Sequence, residues 1–235
     1  MKVILITHTP EPEKVIASSA KLCYSNSNIE NLLDNLSEET SKEFLDKLPQ
    51  AHQSPFEHVT FTFGIEGVSR AFLAQITRHR IASYSVQSQR YVNLKDTFEY
   101  IIPPEIQDDE ECLKIFNETI AREKWAYNTL SNKLKDKYII NGMSEIQAEK
   151  KAIEDARFVL PNASETKMIV TMNIRSLYNF FALRCCNNAQ WEIREVANEM
   201  LKICKEVSPT LFKNAGASCV RGKCLEGNKS CGKRR

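Results

Sequence analysis

The sequence predicts an α+β fold, in which a few short strands combine with longer helices. Residues 59–65 alternate strictly between apolar and polar side chains, which is typical of a strand with one buried face. Residues 167–172 also alternate, and the apolar Ile169 on the second face predicts a strand buried on much of both faces. In contrast, apolar residues between Leu113 and Leu134 recur at steps of three and four, as in a long amphipathic helix.

The segment before residue 59 predicts one short strand followed by three helices. Val3 to Ile6 is an apolar run of strand length. Pro12 lies in the first turn of a helix that reaches about Cys23, because proline is tolerated at that position. Two short amphipathic helices follow, and their apolar residues are Leu32, Leu33 and Leu36, then Phe44, Leu45 and Leu48.

The rest of the chain is mainly helical by the same criteria. Ser144 and Gln147 match a capping box and predict a helix that ends ahead of Pro161. The helix that begins at Val68 ends close to Arg78, where it gives way to a loop. The helices predicted after the first alternating strand are 68–76, 113–134, 144–159, 175–184 and 189–207.

Length and composition indicate a globular protein with a substantial core. The chain has 235 residues, of which 42% are hydrophobic. We expect one domain over residues 1–215 and a loosely ordered tail, rich in Cys, Gly and Lys, over residues 216–235. The first apolar run is too short for a signal peptide, and no stretch reaches the length of a membrane span. We therefore expect a cytoplasmic protein with reduced cysteines and no membrane partner.

Charge and glycine content exclude several kinds of nucleotide or nucleic-acid site. Lys and Arg number 32 against 30 Asp and Glu, so the net charge of +2 creates no general positive field that would gather nucleic acid. The seven glycines form neither a G-x-G-x-x-G motif nor a P-loop. Recognition of an anion must therefore be local and must use side chains.

The tripeptide Arg78-His79-Arg80 is the strongest local concentration of basic side chains. Adjacent cations repel by roughly 1 kcal/mol even in water, so an anion or solvation must offset the cost. A helix C-terminus, which favours cations, would explain the cluster equally well. However, Arg78 and Arg80 lie about 200° apart on a helix and cannot cover one solvated face together. The following loop adds hydrogen-bonding groups, which favours an anion-binding loop: Ser83, Ser85, Gln87, Ser88 and Gln89.

A second candidate set lies on the helix predicted from residue 175. Arg175, Asn179 and Leu183 are four residues apart and share one face, close to Asn173 and Arg184. Other residues of this helix already supply an apolar stripe for the core. The mixed face therefore indicates a groove for a ring-bearing ligand, with a solvated helix side as the alternative.

Two segments contain residue types that bind metals, but their spacing does not support a metal site. His52 and His58 are six residues apart, which is not the i, i+4 pair of a helical zinc site. A turn that hydrogen-bonds a ligand is expected there instead. Cys219, Cys224 and Cys231 have the spacing C-x4-C-x6-C, without a fourth Cys or His nearby in the sequence. We therefore expect no metal.

The run RHRIASYSVQSQRY, with the spacing R-H-R-x7-S followed by R-Y, resembles the signature of the flavin-dependent thymidylate synthases. Three further segments resemble the same family in the same order: HQSPFEHVTFTF, ARFVLP and NIRSLYNFFALRCCNNAQWEI. Together these segments cover most of residues 50–200.

This resemblance implies a fold, an assembly and a set of ligands. The family's fold is mixed α/β, with an antiparallel sheet packed with long helices, and the implied assembly is a homotetramer with sites shared between subunits. The residues implied to bind FAD are Ser54, Arg78, His79, Arg80, Asn173, Arg175 and Asn179. The residues implied to bind dUMP are Gln75, Arg78, Gln87, Ser88, Gln89, Arg90, Arg157 and Arg184.

The implied reaction is reductive methylation of dUMP to dTMP. Methylenetetrahydrofolate would supply the carbon and NADPH would reduce FAD, while Arg184 would stabilise negative charge that develops on the pyrimidine. A binding module for RNA or single-stranded DNA is the alternative, with Tyr84 or Tyr91 as a stacking platform in a basic loop. The nearly neutral net charge disfavours it. A scaffold assembled through the helix at 113–134 is a third hypothesis.

Overall fold

In a computed structural model of the protein, the described residues are 1–48, 53–91 and 99–233. They form an α+β structure, which confirms the predicted fold class. The strands are β1 (Lys2–His8), β2 (Thr60–Ser69), β3 (Ser83–Val86) and β4 (Glu165–Asn173). The helices are α1 (Pro12–Leu22), α2 (Ile29–Asp34), α3 (Glu38–Lys47), α4 (Arg70–Ile76), α5 (Pro104–Gln107), α6 (Glu110–Ile140), α7 (Glu145–Ala156), α8 (Ile174–Arg184), α9 (Trp191–Val207) and α10 (Pro209–Phe212). Single turns of 3-10 helix lie at Ser54–His58, Arg157–Val159, Ser218–Val220 and Gly227–Lys229.

The four strands form one antiparallel sheet in the order β1-β2-β4-β3. β1 runs antiparallel to β2, from the pair Lys2↔Glu66 to the pair His8↔Phe61. The alternation predicted for β2 is confirmed, since its inward side chains are fully buried. The expectation for β4 was wrong, because Ile169 is 46% exposed and only one face of this strand is buried. β3 was also missed, since its serines predicted a loop.

The described chain divides into two compact units that do not follow chain order. The first unit comprises Met1–Glu66, Gln75–Ser85 and Ile169–Arg235, and the second comprises Gly67–Ala74 and Val86–Met168. The single domain over residues 1–215 therefore stays a prediction. Among the described residues, no helix is both long enough and apolar enough to span a bilayer.

An aromatic cluster forms the core of the first unit. The ring of Phe212 on α10 meets Phe61 of β2 at 5.6 Å and Phe181 of α8 at 6.2 Å, in both cases at a steep angle. Tyr178 of α8 packs on the same ring and donates a hydrogen bond of 2.6 Å to the carbonyl of Leu211. These contacts bury the apolar side of α8. Its opposite, polar side therefore points away from the core.

A helical hairpin of α6 and α7 dominates the second unit. The long amphipathic helix is confirmed and extends over 31 residues, beyond the predicted 22-residue repeat. Tyr127 of α6 packs against Ile153 and Ala156 of α7. Ser144 stands at the N-cap of α7 as predicted, but its side chain makes no capping hydrogen bond.

Candidate active site

The basic tripeptide lies in a tight turn directly after α4, as the sequence predicts. The amide of Arg78 donates to the carbonyl of Gln75 at 3.3 Å, and the amide of His79 donates to that of Ile76 at 3.0 Å. The hydroxyl of Tyr84 donates to the carbonyls of Ile76 and His79, at 2.7 and 2.8 Å. Burial raises the pKa of Tyr84 to about 12, so the hydroxyl stays protonated and keeps donating. Tyr84 therefore holds the turn in place.

His79 is a neutral hydrogen-bond acceptor in this turn. Its ring packs edge-on against Phe180 at 4.9 Å, and Arg184 Nε donates to its Nε2 at 3.2 Å. Burial, and then the nearby charge of Arg184, lowers the pKa of His79 to about 4. The tripeptide thus carries two positive charges at neutral pH, which corrects the expectation of three cations that repel one another.

The low pKa of His79 predicts a loss of stability under mild acid. The unfolded chain takes up a proton on this histidine near pH 6.5, whereas the native state does so only near 4. The free energy of unfolding therefore has its full value above pH 6.5. It falls by about 1–2 kcal/mol, after allowance for partial exposure of His79, as the pH decreases towards 4. Chemical denaturation across this range measures it, with His79→Gln as the control variant. Equal pH dependence in both proteins would contradict the prediction.

Helix α8 presents the second predicted set of residues. The side chain of Asn173 caps the helix by accepting from the amide of Ser176 at 2.8 Å. Because the apolar stripe of α8 is buried in the core, Arg175 and Asn179 point away from it. Arg175 forms a short ion pair with Glu57 of the 3-10 helix at Ser54–His58. The mixed face predicted from the sequence therefore forms one wall of a groove.

The turn after α4 and the polar side of α8 enclose a cavity of about 810 Å³, which we call the arginine cavity. Six of the seven residues implied to bind FAD line it: Arg78, His79, Arg80, Asn173, Arg175 and Asn179. The seventh, Ser54, is exposed and does not line the cavity, although its neighbours Gln53 and Glu57 do. Arg184 also lines it, and burial, followed by the charge of Arg78, lowers the pKa of Arg184.

Arg221 is a lining residue that the sequence did not indicate. It comes from the segment after residue 215 and reaches the arginine cavity, where its guanidinium lies 4.5 Å from the centre of the Tyr178 ring. Its Nε donates to the carbonyl of Asn214 at 2.8 Å. A lone arginine in a segment without hydrophobic periodicity carries no sequence signal of its location. Among the lining residues, five arginines thus face one carboxylate, Glu57.

The residues implied to bind dUMP are divided between the two units. Arg78, Arg184 and Gln75 belong to the first unit, where Gln75 Nε2 lies 3.5 Å from Gln190 Oε1. The second unit contains the other five: Gln87, Ser88, Gln89, Arg90 and Arg157. The Ser88 hydroxyl accepts from the amide of Arg90 at 3.1 Å, so it stabilises the turn.

Within the second unit, two of these arginines converge on Glu154. Arg90 Nη2 contacts its carboxylate at 2.9 Å, and Arg157 Nε donates to its carbonyl at 3.1 Å. Arg90 Nε is buried and has no hydrogen-bond partner among the described residues. Burial, and then the charge of Arg157, lowers the pKa of Arg70, a neighbour that sequence reasoning missed. This cationic cluster has spare donors for an anion.

Neither the nucleic-acid-binding hypothesis for the basic loop nor a metal site at His52 and His58 gains support from the contacts of the described residues. Tyr84 uses its hydroxyl to hold the turn, and Lys150 already covers the ring of Tyr91 at 4.5 Å, which leaves less of that ring for a stacked base. Glu57 pairs with Arg175 instead of joining His58. His52, the other histidine of the rejected metal hypothesis, lies outside the described residues.

The lining of the arginine cavity is of a class suited to a large anionic ligand. An antiparallel sheet with long helices carries a cavity lined by guanidinium groups, side-chain amides and a few apolar side chains such as Ile81 and Leu183. Guanidinium groups suit phosphates and carbonyls, because they offer planar pairs of donors.

Comparison with known proteins identifies the family. The profile of the family described as "Thymidylate synthase complementing protein" matches residues 4–210. A flavin-dependent thymidylate synthase of Clostridium tetani is 57% identical over 234 residues, covering 99% of this chain and 94% of that protein. One from Geobacter sulfurreducens is 47% identical over 235 residues, with the same coverage of 99% and 94%.

A solved structure shows the same fold. The Helicobacter pylori flavin-dependent thymidylate synthase, in complex with FAD and dUMP, superposes with a TM-score of 0.63 at 23% identity, covering 92% of this chain and all of that one. The present chain belongs to the flavin-dependent thymidylate synthases.

Proposed function

We propose that this protein methylates dUMP to dTMP, with FAD as its cofactor, methylenetetrahydrofolate as the carbon donor and NADPH as the reductant. The observation that carries the proposal is the arginine cavity. Six residues implied by family resemblance to bind FAD, from segments about a hundred residues apart, line this one cavity in a chain of that family.

The residues of the arginine cavity fit a flavin dinucleotide. Four guanidinium groups, those of Arg78, Arg80, Arg175 and Arg221, can bind its phosphates and ring carbonyls, and each charge-assisted hydrogen bond contributes about 1.5–3 kcal/mol. Asn179 adds an amide, while Ile81 and Leu183 offer apolar surface to a ring. When bound, FAD supplies the redox chemistry, which no side chain here provides.

Arg184 is the catalytic residue of the proposal. It ends α8, lines the arginine cavity and is oriented by its hydrogen bond to the neutral His79. That bond uses Nε and leaves both terminal nitrogens to donate to a pyrimidine edge. A fixed cation at this edge stabilises the negative charge that makes the pyrimidine carbon nucleophilic.

The proposal also includes the substrate residues and the assembly. Arg90 and Arg157 hold the dUMP phosphate, for which the unpartnered Arg90 Nε offers a donor. Each compact unit of the chain carries its own cluster of cations. In the proposed homotetramer, the ligand sites are shared between subunits, and the anionic ligands bind at these clusters. Sedimentation of the FAD-loaded protein tests the assembly, and a monomer that keeps stoichiometric FAD would contradict it. We also propose a cytoplasmic location.

A reconstitution assay tests the activity. Purified protein incubated with FAD should be yellow and should release FAD on denaturation. With dUMP, methylenetetrahydrofolate and NADPH it should form dTMP, and omission of any one of the three should stop the reaction. Loss of FAD binding, or complete dTMP synthesis without the folate, would overturn the proposal.

Arg221→Ala should weaken FAD binding although the residue lies outside the family's motifs. The loss of one charge-assisted contact of about 1.5–3 kcal/mol raises the Kd for FAD roughly tenfold to a hundredfold. Flavin fluorescence titration measures this, and circular dichroism checks the fold. Lys213→Ala is the matched control, because Lys213 is an exposed cation that does not line the arginine cavity. Equal affinity in both variants would show that Arg221 does not contact the ligand.

A further inference from the structure

Glu57 is the one acidic side chain among the described residues that line the arginine cavity. The same lining carries five arginines, and His79 is neutral, so the cavity has a strong net positive charge. A surface of this kind attracts any polyanion, and the attraction grows with the charge of the ligand. Guanidinium groups alone would therefore not distinguish a flavin dinucleotide from the more highly charged nucleoside triphosphates.

The fold holds Glu57 in a fixed place on the cavity wall. It lies in the 3-10 turn that precedes β2, where its neighbour Phe56 packs against Tyr178 of α8, with ring centres 5.5 Å apart. At the end of the turn, the carbonyl of Val59 accepts a hydrogen bond of 2.9 Å from the amide of Ile174. These two contacts anchor the turn on both sides of Glu57, so its backbone stays beside the first turn of α8.

The carboxylate of Glu57 pairs with Arg175 without using the whole guanidinium group. The ion pair engages Nη1 of Arg175, and the other guanidinium nitrogens can still donate to a ligand. Both side chains are about half exposed on the cavity wall, so their charges also act on a ligand that enters. Glu57 therefore does not have to leave when an anion binds, and its negative charge remains beside that anion.

Stabilisation of the fold is the alternative role for this ion pair. Helix α8 has no acidic residue in its first turn, and Glu57 supplies a carboxylate near that partly positive helix end. However, an ion pair between two half-exposed side chains contributes little to stability. A purely stabilising role also does not require the carboxylate to line a binding cavity.

We propose that Glu57 is a specificity-determining residue, which lowers the affinity of the arginine cavity for triphosphates more than for diphosphates. A fixed negative charge repels a ligand in proportion to the charge of that ligand. The diphosphate of a flavin dinucleotide is linked at both ends, whereas a triphosphate has a free terminal phosphate with additional charge. The part of this inference that concerns FAD rests on the proposed function.

Substitution of Glu57 should change the affinity ratio between two inorganic anions, tripolyphosphate and pyrophosphate. At an ionic strength of about 0.1 M, one charge on the cavity wall changes affinity by about two- to threefold for each unit of ligand charge. Glu57→Gln keeps the size of the side chain and an accepting oxygen but removes the charge. It should therefore raise the ratio in favour of tripolyphosphate by about two- to threefold, and Glu57→Lys by about four- to ninefold.

Isothermal titration calorimetry of the intact chain measures both affinities and requires no flavin. Glu66→Gln and Glu66→Lys are the matched controls, because Glu66 is a half-exposed carboxylate paired with Lys2 and lies outside the arginine cavity. Their affinity ratios should equal that of the wild type. Arg221→Ala should weaken binding of both anions, which locates them in the arginine cavity instead of at Arg90 and Arg157. Circular dichroism checks that each variant is folded.

Titration with FAD separates this inference from the proposed function. Glu57→Gln should bind FAD about four- to ninefold more tightly than the wild type, and ATP should displace FAD from it about four- to ninefold more effectively. If the ratio for the inorganic anions shifts as expected but the wild type binds no FAD, the inference stands and the proposed function fails.

Three results would overturn the inference. The first is an affinity ratio in Glu57→Gln equal to that in Glu66→Gln. The second is weaker anion binding by Glu57→Gln than by the wild type, which would show that the carboxylate serves to position Arg175. The third is a wild type that binds neither inorganic anion, or binds both without any effect of Arg221→Ala.

Discussion

Arg184→Ala is expected to slow dTMP formation at least about a hundredfold while the protein stays folded and still binds FAD. Arg184 lines the arginine cavity and is held by His79, so its loss removes a fixed cation from the site where charge develops. Loss of one such electrostatic group lowers kcat by about 10²–10³-fold. Arg184→Lys should fail similarly, because an ammonium cannot donate to His79 and to a pyrimidine edge with the geometry of a planar guanidinium.

Rapid-quench measurement of dTMP separates this role from weakened binding. The single-turnover rate at saturating dUMP should fall with little change in FAD affinity. Arg122→Ala is the matched control, since Arg122 is an exposed arginine of α6 outside the cavity. Turnover of Arg184→Ala at the rate of the Arg122 variant would refute the catalytic assignment.

Phe212→Ala is expected to have the largest effect on stability. Phe212 is fully buried and its ring contacts Phe61, Tyr178 and Phe181, so truncation leaves a cavity at the centre of the first unit. Such substitutions lower the free energy of unfolding by about 3–5 kcal/mol. Because Tyr178 lines the arginine cavity, FAD affinity should fall as well.

Urea denaturation of the apoprotein measures the change in unfolding free energy. Ile146→Ala is the control, since Ile146 is 83% exposed and its truncation should change the stability by less than about 0.5 kcal/mol. If Phe212→Ala were no more destabilising than this control, the aromatic cluster would not be the core of the unit.

Strong local patterns allowed most of the fold to be predicted from sequence. The alternation in β2 and the long repeat in α6 reflect burial of one face, which leaves a periodic signal. β3 could not be found this way, because its serines have low strand propensity and it is held by strand pairing. Ile169 was assigned to a buried face because an apolar residue does not reveal whether anything covers it.

The candidate site was predictable only where its residues form a recognisable motif. The R-H-R tripeptide and the α8 face were identified, but the protonation state of His79 depends on burial and on Arg184, which is about a hundred residues away. The place of Arg221 in the arginine cavity depends on how the C-terminal segment packs against Tyr178 of α8. It has no period or spacing that a linear sequence could show.

The composition of the arginine cavity has a consequence for the order of folding events. Its walls come from the segments around residues 53–57, 78–81, 173–184 and 221, so the cavity exists only after contacts between distant parts of the chain have closed. Contacts between residues that are distant in sequence cost more conformational entropy, so they form late in folding. A local hairpin such as α6–α7 can form early. Cofactor capture should therefore mark the end of folding rather than guide it. A chain stalled with its helices formed would remain colourless.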